Sequence, residues 1–238
     1  MIAERLQQVR ERINHAARQA GRDPATITLV AVTKTHPPEL IAEVLQAGVL
    51  DCGENRVQEA TSKIPALANQ GWRPRWHLIG HLQRNKARPA ADLFDLVHSV
   101  DSLRLAEVLA RQVGPERRLP ILLQVNVSGE ASKDGFELPG GTTNQAALDS
   151  FLPAVEAILA LPSLEVRGLM TIAPFGDDPE QARPSFAALR ALRDKLVRRY
   201  PTTGWNELSM GMTDDFEVAI AEGATLVRVG RAIFGERG

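Results

Sequence analysis

Eight short apolar runs alternate with segments of helical periodicity, and 238 residues are available to hold them. Together these predict a closed (β/α)8 barrel, the TIM barrel, which typically takes about 250 residues. Alternating strands and helices imply a parallel sheet with right-handed crossovers. An open doubly wound sheet would accept the same alternation but gives no reason for a count of eight. A third observation is an extra N-terminal helix, placed to cover the seam that a missing eighth helix would leave.

Residues 2–20 form that leading helix. Ile2, Leu6, Val9 and Ile13 make its apolar stripe, and Gly21 stops it. The first strand, 27–34, is the β-branched run Thr28-Leu-Val-Ala-Val-Thr-Lys34, and Pro37-Pro38 end it. Further strands are expected at 49–53, 76–80, 95–100, 120–127, 165–172, 207–211 and 225–229. The helices between them are expected at 38–47, 56–68, 84–92, 102–112, 146–160, 179–199 and 214–222. No linker separates two halves, so residues 1–238 read as a single domain. The longest loop, Ser128 to Asn144, follows the fifth strand. It is either part of the functional rim or a disordered surface excursion. The basic helix Leu189 to Arg199 reads as a solvated face with cations near its C-terminus.

Composition narrows the function. The chain is 44% apolar and 24% charged, as soluble globular proteins are. A net charge of −1 provides no basic field for nucleic acid or an anionic membrane. Aromatic residues are 5%, too few for base-stacking platforms. Cys52 is the only cysteine, which excludes an internal disulfide and a cysteine metal site. The N-terminus lacks the apolar core of a signal peptide, and no apolar stretch reaches bilayer length. The expected setting is the cytoplasm. A monomer is expected too, since no large apolar helix face stands unused.

Lys34 is the residue on which the chemistry turns. Strand alternation puts Val30, Val32 and Lys34 on one face. An ammonium at the end of an apolar strand either snorkels into water or is neutralised, and a neutral amine is a Schiff-base nucleophile. In a barrel the C-terminal strand ends share one rim. Two Gly-containing segments then converge with Lys34. One is Ser209-Met-Gly-Met-Thr-Asp-Asp215 after the seventh strand, and the other is Arg228-Val-Gly-Arg-Ala-Ile-Phe-Gly235 after the eighth. Loops in these places are the usual phosphate site of the fold. A phosphate cradle across a barrel mouth from a lysine suggests pyridoxal 5′-phosphate, with the Ser209 and Gly230 loops on the phosphate. Arg228 alternates with Val227 and Val229 and so points inward, toward the pyridine ring or its phosphate. An arginine at the pyridine nitrogen keeps it unprotonated and weakens the electron sink. A cofactor-free Schiff-base aldolase, with the cradle taking a sugar phosphate, remains open on these residues alone.

Other polar residues end on the same rim. Asn55 closes Gly53-Glu-Asn55, as a turn residue or a ring contact, and Asn126 and Ser128 end the fifth strand. His77 and His81 bracket the third strand rather than share a helix face, and no carboxylate follows at ligand spacing. Hydrogen-bonded structural roles are expected for both, and no metal site.

At these residues the chain resembles the pyridoxal phosphate homeostasis protein family, which is related to the N-terminal barrel of alanine racemase. The resemblance is carried by Val30-Ala-Val-Thr-Lys34, Gly53-Glu-Asn-Arg-Val-Gln58, Trp76-His-Leu-Ile-Gly80 and Leu82-Gln83 with Asn85-Lys86. It continues in Asn126-Val-Ser128 with Glu130, Lys133 and Gly135, and in Arg167-Gly-Leu-Met-Thr-Ile-Ala-Pro174. It ends in Ser209-Met-Gly-Met212 with Asp215, and in Val227-Arg-Val-Gly230 with Ile233-Phe-Gly-Glu-Arg237. It implies that Lys34 carries the cofactor, that Ser209, Met210, Gly230 and Arg231 contact its phosphate, and that Arg228 lies by the ring or phosphate. It also implies a role in buffering the cofactor and delivering it to apo-enzymes, without an established reaction. Gly135-Phe136 and the stretch Leu138-Pro-Gly-Gly-Thr-Thr-Asn144 depart from the family's pattern in the loop after strand five.

The alternative is an amino-acid racemase built on the same Schiff base. Such an enzyme needs a base on each face of the substrate carbon, and the second is usually a tyrosine from a further β-rich domain. The chain stops just after the eighth strand. Its only tyrosine, Tyr200, precedes the seventh strand, at the opposite end of a barrel. Cys52 reads as a core thiol. The sequence favours the carrier.

Overall fold

Runs of Val, Leu and Ile form eight parallel strands that close on themselves. The computed structural model describes residues 1–235. The strands are β1 (Thr28–Val32), β2 (Asp51–Glu54), β3 (Arg75–Leu78), β4 (Leu96–Val100), β5 (Leu119–Asn126), β7 (Leu164–Met170), β8 (Glu207–Ser209) and β9 (Leu226–Val229). They neighbour one another in chain order, and pairing of β9 with β1 closes the barrel. β6 (Phe136–Glu137) stands outside it, pairing with the end of β5.

Helices cover the outside. They are α1 (Ile2–Gln19), α2 (Pro38–Gln46), α3 (Val57–Asn69), α4 (Ala87–Leu93), α5 (Leu103–Ala110), α6 (Gln145–Leu159), α7 (Arg183–Arg199), α8 (Phe216–Ala221) and α9 (Arg231–Phe234). α1 buries Leu6, Val9, Ile13, Ala16 and Ala17. It packs on α8, α9 and α2, the place expected for a seam-covering helix. The eighth helix is therefore not missing but reduced to the four residues of α9. Polar side chains start several helices: Ser102 accepts from Leu105 N–H, and Asn144 from Ala147 N–H. No helix of the described residues is long and apolar enough to cross a membrane.

Two layers of core follow from strand alternation. Outward residues such as Ala31, Cys52, Val97 and Val227 pack against the helices. Inward residues Val30, Leu96, Leu122, Met170 and Leu226 form a small separate cluster within the barrel. Many of the remaining inward positions are polar, among them Asp51, His77, His98, Gln124, Asn126, Ser209 and Arg228, all buried.

The expected boundaries hold to within a few residues. Strand one is shorter than expected, ending at Val32, so Lys34 lies in the turn that follows. The segment 128–144 is not a structureless excursion. Gln124 Nε2 donates to Asp134 O at 2.8 Å and Asn126 Nδ2 to Glu130 O at 3.0 Å, which ties it to β5. Its Leu138 is buried. Glu236 and Arg237, the end of the last family motif, lie outside the described residues.

Candidate functional site

β1 delivers Lys34 to the C-terminal rim. With Val30 inside the barrel, two-residue alternation carries Val32 to the same side, and Lys34 lies in the turn just beyond it. Lys34 is half-buried. Its turn closes through His36 N–H to Thr33 O at 3.2 Å. His36 stacks on Phe234 of α9, ring centroids 4.0 Å apart, so the Lys34 turn leans on the helix that follows Gly230. A Cβ on Gly230 would lie 3.3 Å from Val32 Cβ, which shows how closely the two strand ends approach.

Arg228 points into the barrel, as alternation along β9 predicts, and is 4% exposed. Its guanidinium donates to Ser209 Oγ at 2.5 Å and to Thr171 O at 2.9 Å. Burial pushes its pKa down to about 10, against the favourable field of Asp215. It is therefore still a cation at neutral pH. Both hydrogen-bond partners are neutral, while Asp215 accepts instead from Met212 N–H at 2.6 Å.

Ser209 and Arg228 begin a hydrogen-bonded chain through the barrel. Ser209 Oγ meets His98 Nδ1 at 2.8 Å, His98 Nε2 meets His77 Nδ1 at 2.9 Å, and His77 Nε2 meets Asp51 Oδ1 at 2.9 Å. Arg75 completes it, donating to Asp51 Oδ2 at 2.7 Å. One arrangement satisfies every atom: Arg228 occupies a Ser209 lone pair, Ser209 donates to His98, His98 to His77, and His77 to Asp51. The chain runs from the rim to a cavity of about 370 Å³ at the opposite end, lined by Asp51, Arg75, Arg167 and Glu207 among others.

His98 carries a pH signature. Burial, followed by the nearby His77 and Arg228, holds its pKa well below the usual histidine value. The unfolded chain then binds a proton near pH 6.5 that the folded chain refuses. Stability should fall as pH drops below about 6.5, by about 1.4 kcal/mol per pH unit for one such group. Urea unfolding at pH 7.5 and 5.5 measures the difference, and His98→Asn should reduce it by about that amount. An equal difference in the variant would show His98 to be protonated inside the fold.

The other expected residues fall as follows. Asn55 sits at the end of β2, half-buried. Its backbone is so close to β3 that a Cβ on Gly80 would lie 2.4 Å from Asn55 O. Its Oδ1 is buried with no hydrogen-bond partner among the described residues. Met210 packs its side chain into the outer core and gives its backbone N–H to Leu226 O at 3.2 Å. Arg231 begins α9, is exposed, and pairs with Asp214. His77 has the structural role expected, whereas His81 lies away from it, at 3.3 Å from Asp101 and 3.4 Å from Asp134. The structure thus brings Lys34, Gly230 and Arg231 to one corner of the rim, with Arg228 and Ser209 beneath.

Sequence reasoning missed His98, Thr171 and Asp51. His98 had a signal in the alternation Leu96-Val-His-Ser, which puts it inside with Leu96. It also missed Lys63 and Glu59, an i, i+4 pair on α3. Lys63 Nζ is buried, 3.0 Å from Glu54 Oε1, 3.1 Å from Glu59 Oε2 and 3.0 Å from Thr33 O.

Comparison with known proteins adds the family. Residues 5–238 match the family described as alanine racemase, N-terminal domain. A pyridoxal phosphate homeostasis protein of Pseudomonas aeruginosa is 46% identical, over 99% of this chain and 96% of its own. PipY of Synechococcus elongatus is 39% identical over 99% of this chain and all of its own. Its structures without and with pyridoxal phosphate superpose with TM-scores of 0.83 and 0.82. An alanine racemase of Corynebacterium glutamicum shares the fold at 17% identity, with a TM-score of 0.70 over 98% of this chain and 62% of its own.

Proposed function

The chain belongs to the pyridoxal phosphate homeostasis protein family, and from that premise we propose that it holds pyridoxal 5′-phosphate reversibly on Lys34. We take it as a cytoplasmic, monomeric carrier that buffers the cofactor and releases it to apo-enzymes.

The observation that carries this reading is Arg228. Among the described residues its guanidinium has a hydroxyl and a carbonyl for partners and no counter-charge in contact, and burying such a cation is costly without an acceptor. It has N–H groups to spare for a ring nitrogen or a phosphate oxygen. Asn55 supports the same reading, since its buried Oδ1 awaits a donor such as a ring hydroxyl.

When bound, the cofactor supplies an aldehyde that condenses with a lysine amine. The chain's own residues supply the rest. Lys34 offers the amine. The Gly230 backbone and Arg231 offer donors to the phosphate, while the Ser209 hydroxyl, committed to His98, and Met210, whose N–H goes to Leu226 O at 3.2 Å, shape the turn around it. Placed at a ring nitrogen, Arg228 would keep it unprotonated and so restrain catalysis at the substrate carbon; placed at the phosphate, it would supply a fixed positive charge. A racemase would need a second base. Tyr200 is turned away, its hydroxyl donating to Glu156 Oε1 at 2.9 Å on the outer surface. Burial pushes the Cys52 thiol up, and it faces the helices.

Protein incubated with the cofactor, reduced with borohydride and mapped by peptide mass should carry the label on Lys34. Label on Lys133 or any other lysine would refute the site. Transfer to an apo-enzyme, run with and without a trap for free aldehyde, tests delivery. Steady racemisation of alanine that tracks the purified protein would overturn the carrier reading.

A further inference from the structure

The turn that bears Lys34 is held in a conformation it would not choose. Thr35 has φ 66°, the left-handed region, which a β-branched residue enters only at a cost. Thr33 to His36 form a four-residue turn in which Thr35 occupies the place usually given to glycine.

Two contacts oppose this strain, and they grip the two peptide groups on either side of Lys34. On one side, Thr33 O accepts from Lys63 Nζ at 3.0 Å. On the other, Thr35 N–H donates to Glu59 Oε2 at 2.8 Å. The same Glu59 oxygen takes Lys63 Nζ at 3.1 Å, so one cluster makes both contacts. Glu54, fully buried, anchors it: Lys63 lies 3.0 and 3.2 Å from its two oxygens, and Thr33 Oγ donates to it at 2.6 Å. Burial raises the Glu54 pKa, with Thr33 and Lys63 pulling it back.

We propose that Glu59 and Lys63 are positioning residues for Lys34. By fixing both flanking peptide planes they set the direction in which the side chain leaves the backbone, and so how readily Nζ reaches a cofactor aldehyde. The proposal rests on Lys34 as the attachment site. Attachment joins the neutral amine to the aldehyde carbon as C=N, and the carbonyl oxygen leaves as water with both amine protons. Only that step depends on the direction of Lys34. Non-covalent binding depends on the phosphate turns, Arg228 and Asn55 Oδ1, none of which is hydrogen-bonded to Glu59 or Lys63.

Glu59→Ala removes one grip and leaves the Lys63–Glu54 pair to keep the fold. Expected is at least tenfold slower covalent attachment of pyridoxal 5′-phosphate, followed by the visible band after mixing. Affinity for pyridoxine 5′-phosphate, which has no aldehyde, should stay within twofold. Adding Thr35→Gly should restore the attachment rate, because glycine holds a positive φ without help. Attachment at the wild-type rate in Glu59→Ala, or a parallel loss of pyridoxine phosphate affinity, would overturn the proposal. Borohydride mapping of the wild type separates the two failures: label away from Lys34 sinks the underlying reading, whereas label on Lys34 with an unaffected variant sinks the positioning role alone.

Discussion

Gly168→Ala is expected to destabilise the barrel by more than about 3 kcal/mol, beyond the range of ordinary point substitutions. Gly168 lies in β7 where the register against β5 slips: Ile121 faces Val166, but Leu122 faces Gly168, which leaves Arg167 as an extra residue. The bulge presses Gly168 against β8. A Cβ there would sit 1.8 Å from the carbonyl oxygen of Glu207 and 2.7 Å from its carbon, both backbone atoms. Gly168 also has φ 159°, at the edge of the region that disfavours side chains. No rotamer change relieves a clash with backbone. The strand must move, and β8 is three residues long with Ser209 at its end. The urea midpoint should fall far below wild type, or soluble protein should be lost. Gly114→Ala is the control, since a methyl group there would meet nothing within 4 Å, and it should shift stability by no more than about 0.5 kcal/mol. A wild-type midpoint for Gly168→Ala would show that the bulge can relax.

This bulge illustrates what a linear reading of the chain reaches and what it does not. Strand positions were most legible where both faces are apolar, as in Leu29–Val32 and Leu119–Leu123, which spell continuous runs. The inward aim of Arg228 was legible from its alternation with Val227 and Val229. Lys34 was legible as the end of such a run, but its turn was not. Thr35 has no glycine signature, and the Glu59 and Lys63 that hold it come from the next helix but one. The His98–Ser209 contact joins residues 111 positions apart on strands that are not neighbours, so it exists only once the barrel closes. The 128–144 segment read as a loose loop because its anchors, Gln124 and Asn126, are strand residues whose polar groups face inward. In each case local pattern located the backbone, and partners from distant strands or helices decided what the side chains do.

Lys34→Ala is expected to abolish borohydride-trapped cofactor entirely, while Arg228→Gln should keep trapping and weaken retention. The two residues act on different terms. Lys34 supplies the bond: Lys63 is committed to Glu54, Glu59 and Thr33, and Lys133 to Glu130, which leaves Lys86, in a pocket shared with Asn55, as the neighbouring amine that trapping must exclude. The alanine variant keeps the phosphate turns and Arg228, so it should still bind pyridoxal 5′-phosphate reversibly, without the visible band. Arg228→Gln removes a charged donor from a site where water cannot substitute. Such hydrogen bonds contribute about 1.5–3 kcal/mol, which corresponds to roughly tenfold to hundredfold weaker retention. The barrel should survive this change, because the cation that cost free energy to bury goes with it. Equilibrium dialysis, absorbance and trapping on the same preparations separate the outcomes. Trapped label in Lys34→Ala at wild-type yield would mean that another amine holds the cofactor. Unchanged affinity in Arg228→Gln would mean that its spare N–H groups face something other than the ligand, and the buried cation would then need a different explanation.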